Sequence, residues 1–372
     1  MKSFVGKATY HFRSVRFPKP VSVFAKIAHP VTLLAKLILM VTPIVSAAEP
    51  QKDCRLRMLA SISIDRSSRS GPTIPIVVQN IPVRAWVNTQ SAFSVIDQQA
   101  VERLGLKTWK LGPGTPGMSW GGNQVTGYTI VPAMSLGNAR FKDRTMLLTP
   151  TRSRSSSGMD PLVDTPIAYL GMDVLTSVDI ELDLGHDKIN LFSPDHCSGQ
   201  VVYWADRYDV LPMRRGALKD LYFVMELNGK KLQTQLSTGD WSSSLFANVA
   251  SKLYAWDENP SGRQSMTGEN GSSGSSRAMT LTAGGLTVLN AQIRLRKPDP
   301  CVSAARLSTD NHGAFGFDGC NGVSPLHLGM NVLTKLRIYL STAEQKMYLT
   351  ATDAHQETSD SAEEMTQRPG NQ

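Results

Sequence analysis

Cysteine is scarce in this chain: Cys54, Cys197, Cys301 and Cys320 are the four among 372 residues. They form no Cys-x-x-Cys pair and stand near no histidine cluster, which excludes the usual spacing of a structural zinc site. Acidic residues are absent from Met1 to Ala48, a stretch that carries seven Lys and Arg. Also missing is an uninterrupted run of the ~20 apolar residues a spanning helix needs, because Lys36 and Pro43 interrupt the apolar stretch. With that stretch set aside, positive charge is no longer in excess, since 32 Lys and Arg face 31 Asp and Glu. A nucleic-acid partner requires a basic face that displaces counterions, so none is expected.

The leader has a pattern of its own. Leu37 to Val45 is apolar and is followed by the small residues Ser46-Ala47-Ala48, which reads as a secretory signal cut near Ala47 or Ala48. The chain is therefore expected to be exported, periplasmic or secreted, and to touch a membrane only through an uncleaved leader. An even cysteine count in an exported chain favours disulfides. Three connectivities are open; one tie per half joins Cys54 with Cys197 and Cys301 with Cys320, contributing about 5 and about 3 kcal/mol in the chain-entropy model.

The remaining sequence repeats itself. Leu170-Gly171-Met172-Asp173-Val174-Leu175-Thr176 recurs as Leu328-Gly329-Met330-Asn331-Val332-Leu333-Thr334. At the same offset Ile180 matches Ile338, Leu182 matches Leu340, Lys188 matches Lys346 and Leu191 matches Leu349. Upstream, each half has two β-branched or apolar runs around a hairpin signal, Gln79-Asn80 in one and Asn228-Gly229 in the other. Each second run enters a polar turn, Asn88-Thr89-Gln90-Ser91 or Ser237-Thr238-Gly239-Asp240. A short helix is predicted after each turn, with Asp97 as N-cap ahead of Val101 and Leu104 in the first half, and around Val249 and Leu253 in the second. Strand-like material around a flexible tip follows: Trp120-Gly121-Gly122 in one half, Thr267 to Ser276 in the other. The pattern predicts a signal over 1–48, one lobe over 49–200, a second over 201–350 and a disordered tail over 351–372, with Arg152 to Ser157 a basic surface loop.

Two familiar patterns carry no chemistry here. Gly117-Met118-Ser119-Trp120-Gly121 has hydrolase spacing, but a nucleophile elbow joins a strand to a helix, whereas glycines and Pro116 surround this one and strands are expected to follow, so it reads as part of the first flap. Gly112-Pro113-Gly114-Thr115-Pro116-Gly117 formally matches a dinucleotide fingerprint, yet its prolines remove amide donors and no helix opens after it. No cofactor or metal is expected.

A strand ending in a Thr-containing turn, then a short helix, a flap and an apolar-apolar-Gly block resembles one lobe of a pepsin or retropepsin. The resemblance is to the retropepsin-like aspartic protease family in its bacterial tandem form and spans roughly residues 60 to 350. It implies a mostly β chain with two similar acid-protease-type barrel lobes and a cleft between them. The later blocks, Tyr169-Leu170-Gly171 and His327-Leu328-Gly329, match the family well. The turns, where the family has Asp-Thr-Gly twice, read Asn88-Thr89-Gln90 and Ser237-Thr238-Gly239.

In the family the two aspartates share one proton; one activates water while the other donates to the substrate carbonyl. Asn88 cannot accept a proton at any working pH, and an unassisted Ser237 hydroxyl is too weak a base. Loss of one such acid or base lowers the rate roughly 100- to 10,000-fold. Thr89 and Thr238, which the resemblance implies hold the turns together, are kept. Gln90 replaces a glycine that allows close backbone approach beneath the catalytic water, so its side chain is expected to occupy that space.

The leading expectation is a monomeric pseudoprotease that binds peptide or protein between its lobes. The rival is an active aspartic-type endopeptidase using Asp240, the nearby carboxylate with no evident structural role. A Ser237 and His327 pair is a further option that depends on geometry. A structural envelope protein is expected instead if Gln90 and Trp120 fill the cleft.

Overall fold

The computed structural model describes residues 54–68, 71–112, 119–120, 123–150, 165–216, 220–256, 272–298 and 324–353. Cys301, Cys320, Gly121, Gly122, the leader and the 152–157 loop lie outside the described residues, as does the tail beyond 353.

Alternation of buried and less buried residues along strands such as Gly127–Leu136 and Leu221–Leu227, together with short strands buried throughout such as Ala168–Leu170 and Ser243–Phe246, builds two closed barrels. In the first, Thr73–Val78 pairs with Ile81–Val87, and the ring continues through Ala168–Leu170, Val95–Asp97, Ala139–Thr149 and Gly127–Leu136 back to Thr73–Val78. The second runs in the same order through Leu221–Leu227, Lys230–Leu236, Leu326–Leu328, Ser243–Phe246, Leu286–Arg296 and Ser272–Ala283, and closes onto Leu221–Leu227. Both predicted hairpin turns have two residues at positive φ, Gln79 at 48° with Asn80 at 66° and Asn228 at 45° with Gly229 at 73°. That twist matches the flanking strands. The Ser/Gly-rich segment expected as a flexible tip is strand from Ser272 onward.

Both predicted helices form, over Gln98–Arg103 and Ala247–Tyr254. The Asp97 side chain accepts from the amides of Gln99 and Ala100, the expected N-cap. Val101 and Val249 are buried on the helix faces that cover the barrels.

A third, six-stranded sheet joins the halves, in the order Met58–Ser63, Lys188–Phe192, Asp179–Asp183, Leu336–Ser341, Lys346–Ala351, Asp209–Pro212. Its central pairing sets Ile180 opposite Leu340, Glu181 opposite Tyr339 and Leu182 opposite Ile338. The repeat equates Ile180 with Ile338 and Leu182 with Leu340, so the two copies of one strand pair with each other about the Glu181 and Tyr339 position. Ile180, Leu182, Ile338 and Leu340 join the interiors of both barrels in one apolar cluster.

The opposite face of that sheet buries Asp179, Glu181 and Asp183. Buried carboxylates are costly unless paired. Asp179 bonds His196 Nε2 at 2.7 Å, the Thr342 amide at 3.0 Å and the Tyr339 hydroxyl at 3.3 Å. Glu181 receives Arg337 Nε at 2.8 Å, and the Arg337 guanidinium lies 4.5 Å from the centre of the Trp204 ring. Phe192, Val201, Trp204, Ala205, Tyr339 and Tyr348 form a second apolar cluster there. The Cys54–Cys197 disulfide ties the edge of this layer, as expected from one tie per half.

Candidate functional site

The turns meet where the two barrels face each other, and the same backbone bonds hold both. Asn88 N–H donates to the Leu170 carbonyl and Ser237 N–H to the Leu328 carbonyl, at 3.0 and 2.9 Å. Met172 N–H donates to Ser91 and Met330 N–H to Asp240, both at 2.8 Å. These bonds need the later glycines: a Cβ on Gly171 would lie 2.6 Å from the Phe93 carbonyl carbon, and one on Gly329 would collide with the Ser242 backbone. Each glycine amide also donates to a serine hydroxyl, Gly171 to Ser94 at 2.9 Å and Gly329 to Ser243 at 3.0 Å. Those hydroxyls donate in turn to Asp173 at 2.6 Å and Asn331 at 2.8 Å.

The threonines cross between lobes reciprocally. Thr89 N–H donates to Thr238 Oγ1 and Thr238 N–H donates to Thr89 Oγ1, each at 3.1 Å. Thr238 Oγ1 donates onward to the Val87 carbonyl at 2.6 Å. All of these groups are buried, where an unmade bond is expensive.

Symmetry ends at the first and third turn positions. Asn88 Oδ1 accepts from the Gln90 amide at 3.1 Å, closing its own turn. Its side chain also lies against the second turn, since a Cβ on Gly239 would come 3.3 Å from Asn88 Cγ. Gln90 reaches across the junction. Its Oε1 accepts from Ser237 Oγ at 2.9 Å, its Nε2 stands 3.1 Å from His327 Nδ1, and its carbonyl accepts from Gln235 Nε2 at 3.4 Å.

Ser237 Oγ also faces Asp240 Oδ2 at 2.8 Å. One hydroxyl proton thus serves two acceptors, and Asp240 has a structural partner that the sequence did not reveal. Arg296 Nη1 contacts His327 Nδ1, lies 4.0 Å from Asp240 Oδ2, and its guanidinium sits 5.4 Å from the Phe246 ring centre. Burial, reinforced by the Arg296 charge, pushes the His327 pKa down to about 3. The imidazole is therefore neutral at ordinary pH, and donors on Nδ1 leave the proton on Nε2.

The predicted residues Asn88, Thr89, Ser237, Thr238, Gly239 and Asp240 are thus brought together. Ser237 and His327 are not bonded to each other; Gln90 stands between them. Trp120 belongs to a strand pair, Ser119–Trp120 with Asn123–Gln124. Arg296 and Gln235 escaped the sequence reading, although their alternation with Leu295 and Leu236 marks them as facing away from the barrel core. Chemically the cluster offers amides, a hydroxyl and one carboxylate, where proton sharing requires two carboxylates. No group of metal-binding side chains occurs among the described residues.

A family model described as aspartyl protease matches residues 74–174, which span most of the first barrel. No curated protein matches the chain in sequence. Among solved structures, the aspartic proteinase from Irpex lacteus is 10% identical, covers 79% of this chain and 97% of its own, and has a TM-score of 0.43. Basic 7S globulin from soybean is 10% identical, with 81% and 96% covered and a TM-score of 0.44. A retropepsin-like aspartic protease from Rickettsia conorii is 18% identical, with 37% and 96% covered and a TM-score of 0.25. The resemblance to the retropepsin-like and pepsin-like aspartic proteases is thus carried by the family match over residues 74–174 and by a barrel whose strand order the second half repeats.

Proposed function

We propose that this protein is an exported, catalytically inactive relative of the aspartic proteases that binds an extended peptide segment between its lobes. The observation that carries the reading is the contact across the junction, where Gln90 bonds to Ser237 and His327; it supports taking Asn88 and Ser237 as standing at the turn positions that the resemblance gives to the family aspartates. The reciprocal threonine bonds keep the lobes in register without those acids. An extended chain has unpaired amides and carbonyls that strands and turns around such a junction can meet. Export is supported by the leader pattern and by the Cys54–Cys197 disulfide, a bond suited to an oxidising compartment.

The test is cleavage of a mixed peptide library between pH 3 and 7 beside binding of the same library, read by mass spectrometry. Retention of peptides without cleavage is expected. Cleavage that disappears in Asp240→Ala would overturn the inactive assignment, and a library that passes unretained would overturn peptide binding. The triple variant Asn88→Asp, Ser237→Asp, Gln90→Gly then asks whether restored acids restore cleavage.

A further inference from the structure

The outward faces of the two barrels beside the junction can be compared position by position. On the first, ladder pairing sets Trp86 beside Tyr169, Tyr169 beside Val95, and Val95 beside Leu147. On the second, the equivalent pairings join Gln235 to His327, His327 to Ser244, and Ser244 to Arg294. The faces are the ones that carry the turn residues, since Trp86 is two residues before Asn88 and Gln235 two before Ser237 in extended strands. The first row is apolar: Trp86 stacks on Tyr169 with ring centres 4.3 Å apart, and Val95 and Leu147 complete a cluster separate from the main core. The second row is polar throughout.

The second row also has unused capacity. Ser244 Oγ is buried and has no hydrogen-bond partner among the described residues, and the residue is only 6% exposed. Arg294 is half-buried between the inward residues Ile293 and Leu295 and forms no ion pair among the described residues. Arg296, two residues on, has Asp240 only at 4.0 Å. Of the two guanidinium groups, Arg296 alone has a carboxylate within 4.0 Å among the described residues, and the neutral His327 adds no charge.

We propose that this row is a carboxylate-recognition site that sets the direction of a bound chain, with an acidic group of the ligand on Arg294 and Arg296 and its apolar part towards the first lobe. The inference rests on peptide binding at the junction. Arginine forks suit carboxylates geometrically, and a charge-assisted bond is about twice as strong as a neutral one. The first-lobe row, Trp86, Tyr169, Val95 and Leu147, offers no cation for the same group, so a reversed ligand loses the charge-assisted bond. The acidic group can be an Asp or Glu side chain or a chain-terminal carboxylate; the chemistry is shared.

The experiment measures fluorescence anisotropy with labelled octapeptides that contain one Phe and either Glu, Gln or Lys, all C-terminally amidated, plus the Gln peptide as a free acid. The Glu peptide is expected to bind about tenfold more tightly than the Gln peptide, with Lys weakest. Arg294→Gln with Arg296→Gln is expected to bring the Glu-to-Gln ratio close to one, while Arg294→Lys alone retains a preference for Glu. A free-acid Gln peptide that binds more tightly than its amide, with amidated Glu and Gln peptides alike, assigns the chain terminus as the recognised group; a preference for internal Glu alone assigns the side chain. Equal binding of the amidated Glu, the amidated Gln and the free-acid Gln peptides, or a preference for a carboxylate that survives both arginine substitutions, overturns the inference while leaving peptide binding intact. Absence of binding by every peptide overturns both.

Discussion

Replacing Thr238 by valine tests the inter-lobe contact most directly. Valine is close in volume to threonine but has no hydroxyl, and the structure gives that hydroxyl two short bonds, one accepted from the Thr89 amide at 3.1 Å and one donated to the Val87 carbonyl at 2.6 Å, beside a longer one accepted from the Thr89 hydroxyl at 3.5 Å. Thr238 and Thr89 are 0% and 3% exposed, so water does not replace what is lost. A buried polar group left without its partner costs about 1–3 kcal/mol, and two such groups place the loss near 4 kcal/mol. Two comparison variants calibrate the scale. Thr149→Val removes a single partly buried bond to the Ile96 carbonyl at 3.3 Å and should lose about 1 kcal/mol. Thr108→Val, on an exposed strand position, should stay within about 0.5 kcal/mol of the parent. Urea unfolding followed by tryptophan fluorescence gives the three midpoints. If Thr238→Val lost no more than Thr149→Val, the reciprocal contact would contribute little energy, and the threonines would not be what holds the lobes together.

Further outcomes follow from other contacts. Gly171→Ala should destabilise by roughly 2–4 kcal/mol, because its Cβ would meet the Phe93 backbone at 2.6 Å; a shift under 1 kcal/mol by denaturant midpoint would mean the turn yields freely. Cys54→Ser should remove about 5 kcal/mol in the chain-entropy model, since the bond joins residues 143 apart, and an unchanged urea midpoint would contradict this. For His196, burial opposes the charge, but the Asp179 hydrogen bond, the Cys197 carbonyl and the charges of Asp179 and Glu344 outweigh it and hold its pKa above 6.5. That contribution to stability is complete below about pH 6.5 and fades as pH rises through the raised value. His196→Gln should flatten this alkaline slope in unfolding measured from pH 6 upward.

Local features were legible in the sequence because short-range physics decides them. The Asn228-Gly229 turn, the Asp97 cap and the short helices depend on neighbouring residues, and the internal repeat exposed two copies of one unit. The Asn88 and Ser237 turns were found in the same way. Pairing between distant strands was not legible: Asp179–Asp183 shows strand character, but nothing in five residues names Leu336–Ser341 as its partner. Nor could its alternate acids be assigned, because Asp179 and Glu181 obtain their partners from His196 and Arg337 through the fold. The reach of Gln90 was anticipated as a matter of space; that it ends on Ser237 and His327 depends on the facing lobe.

The self-matching register of Asp179–Asp183 on Leu336–Ser341 has a consequence for how the two halves could diverge. Such a register could be made as readily by two separate copies of one unit as by two halves of a single chain. Separate identical copies, however, express every substitution twice, and a glutamine at each third turn position would send two side chains into the same space. Covalent linkage removes that restriction. One half can keep the reaching residue, Gln90, while the other keeps Gly239 opposite and supplies the hydroxyl and imidazole that receive it.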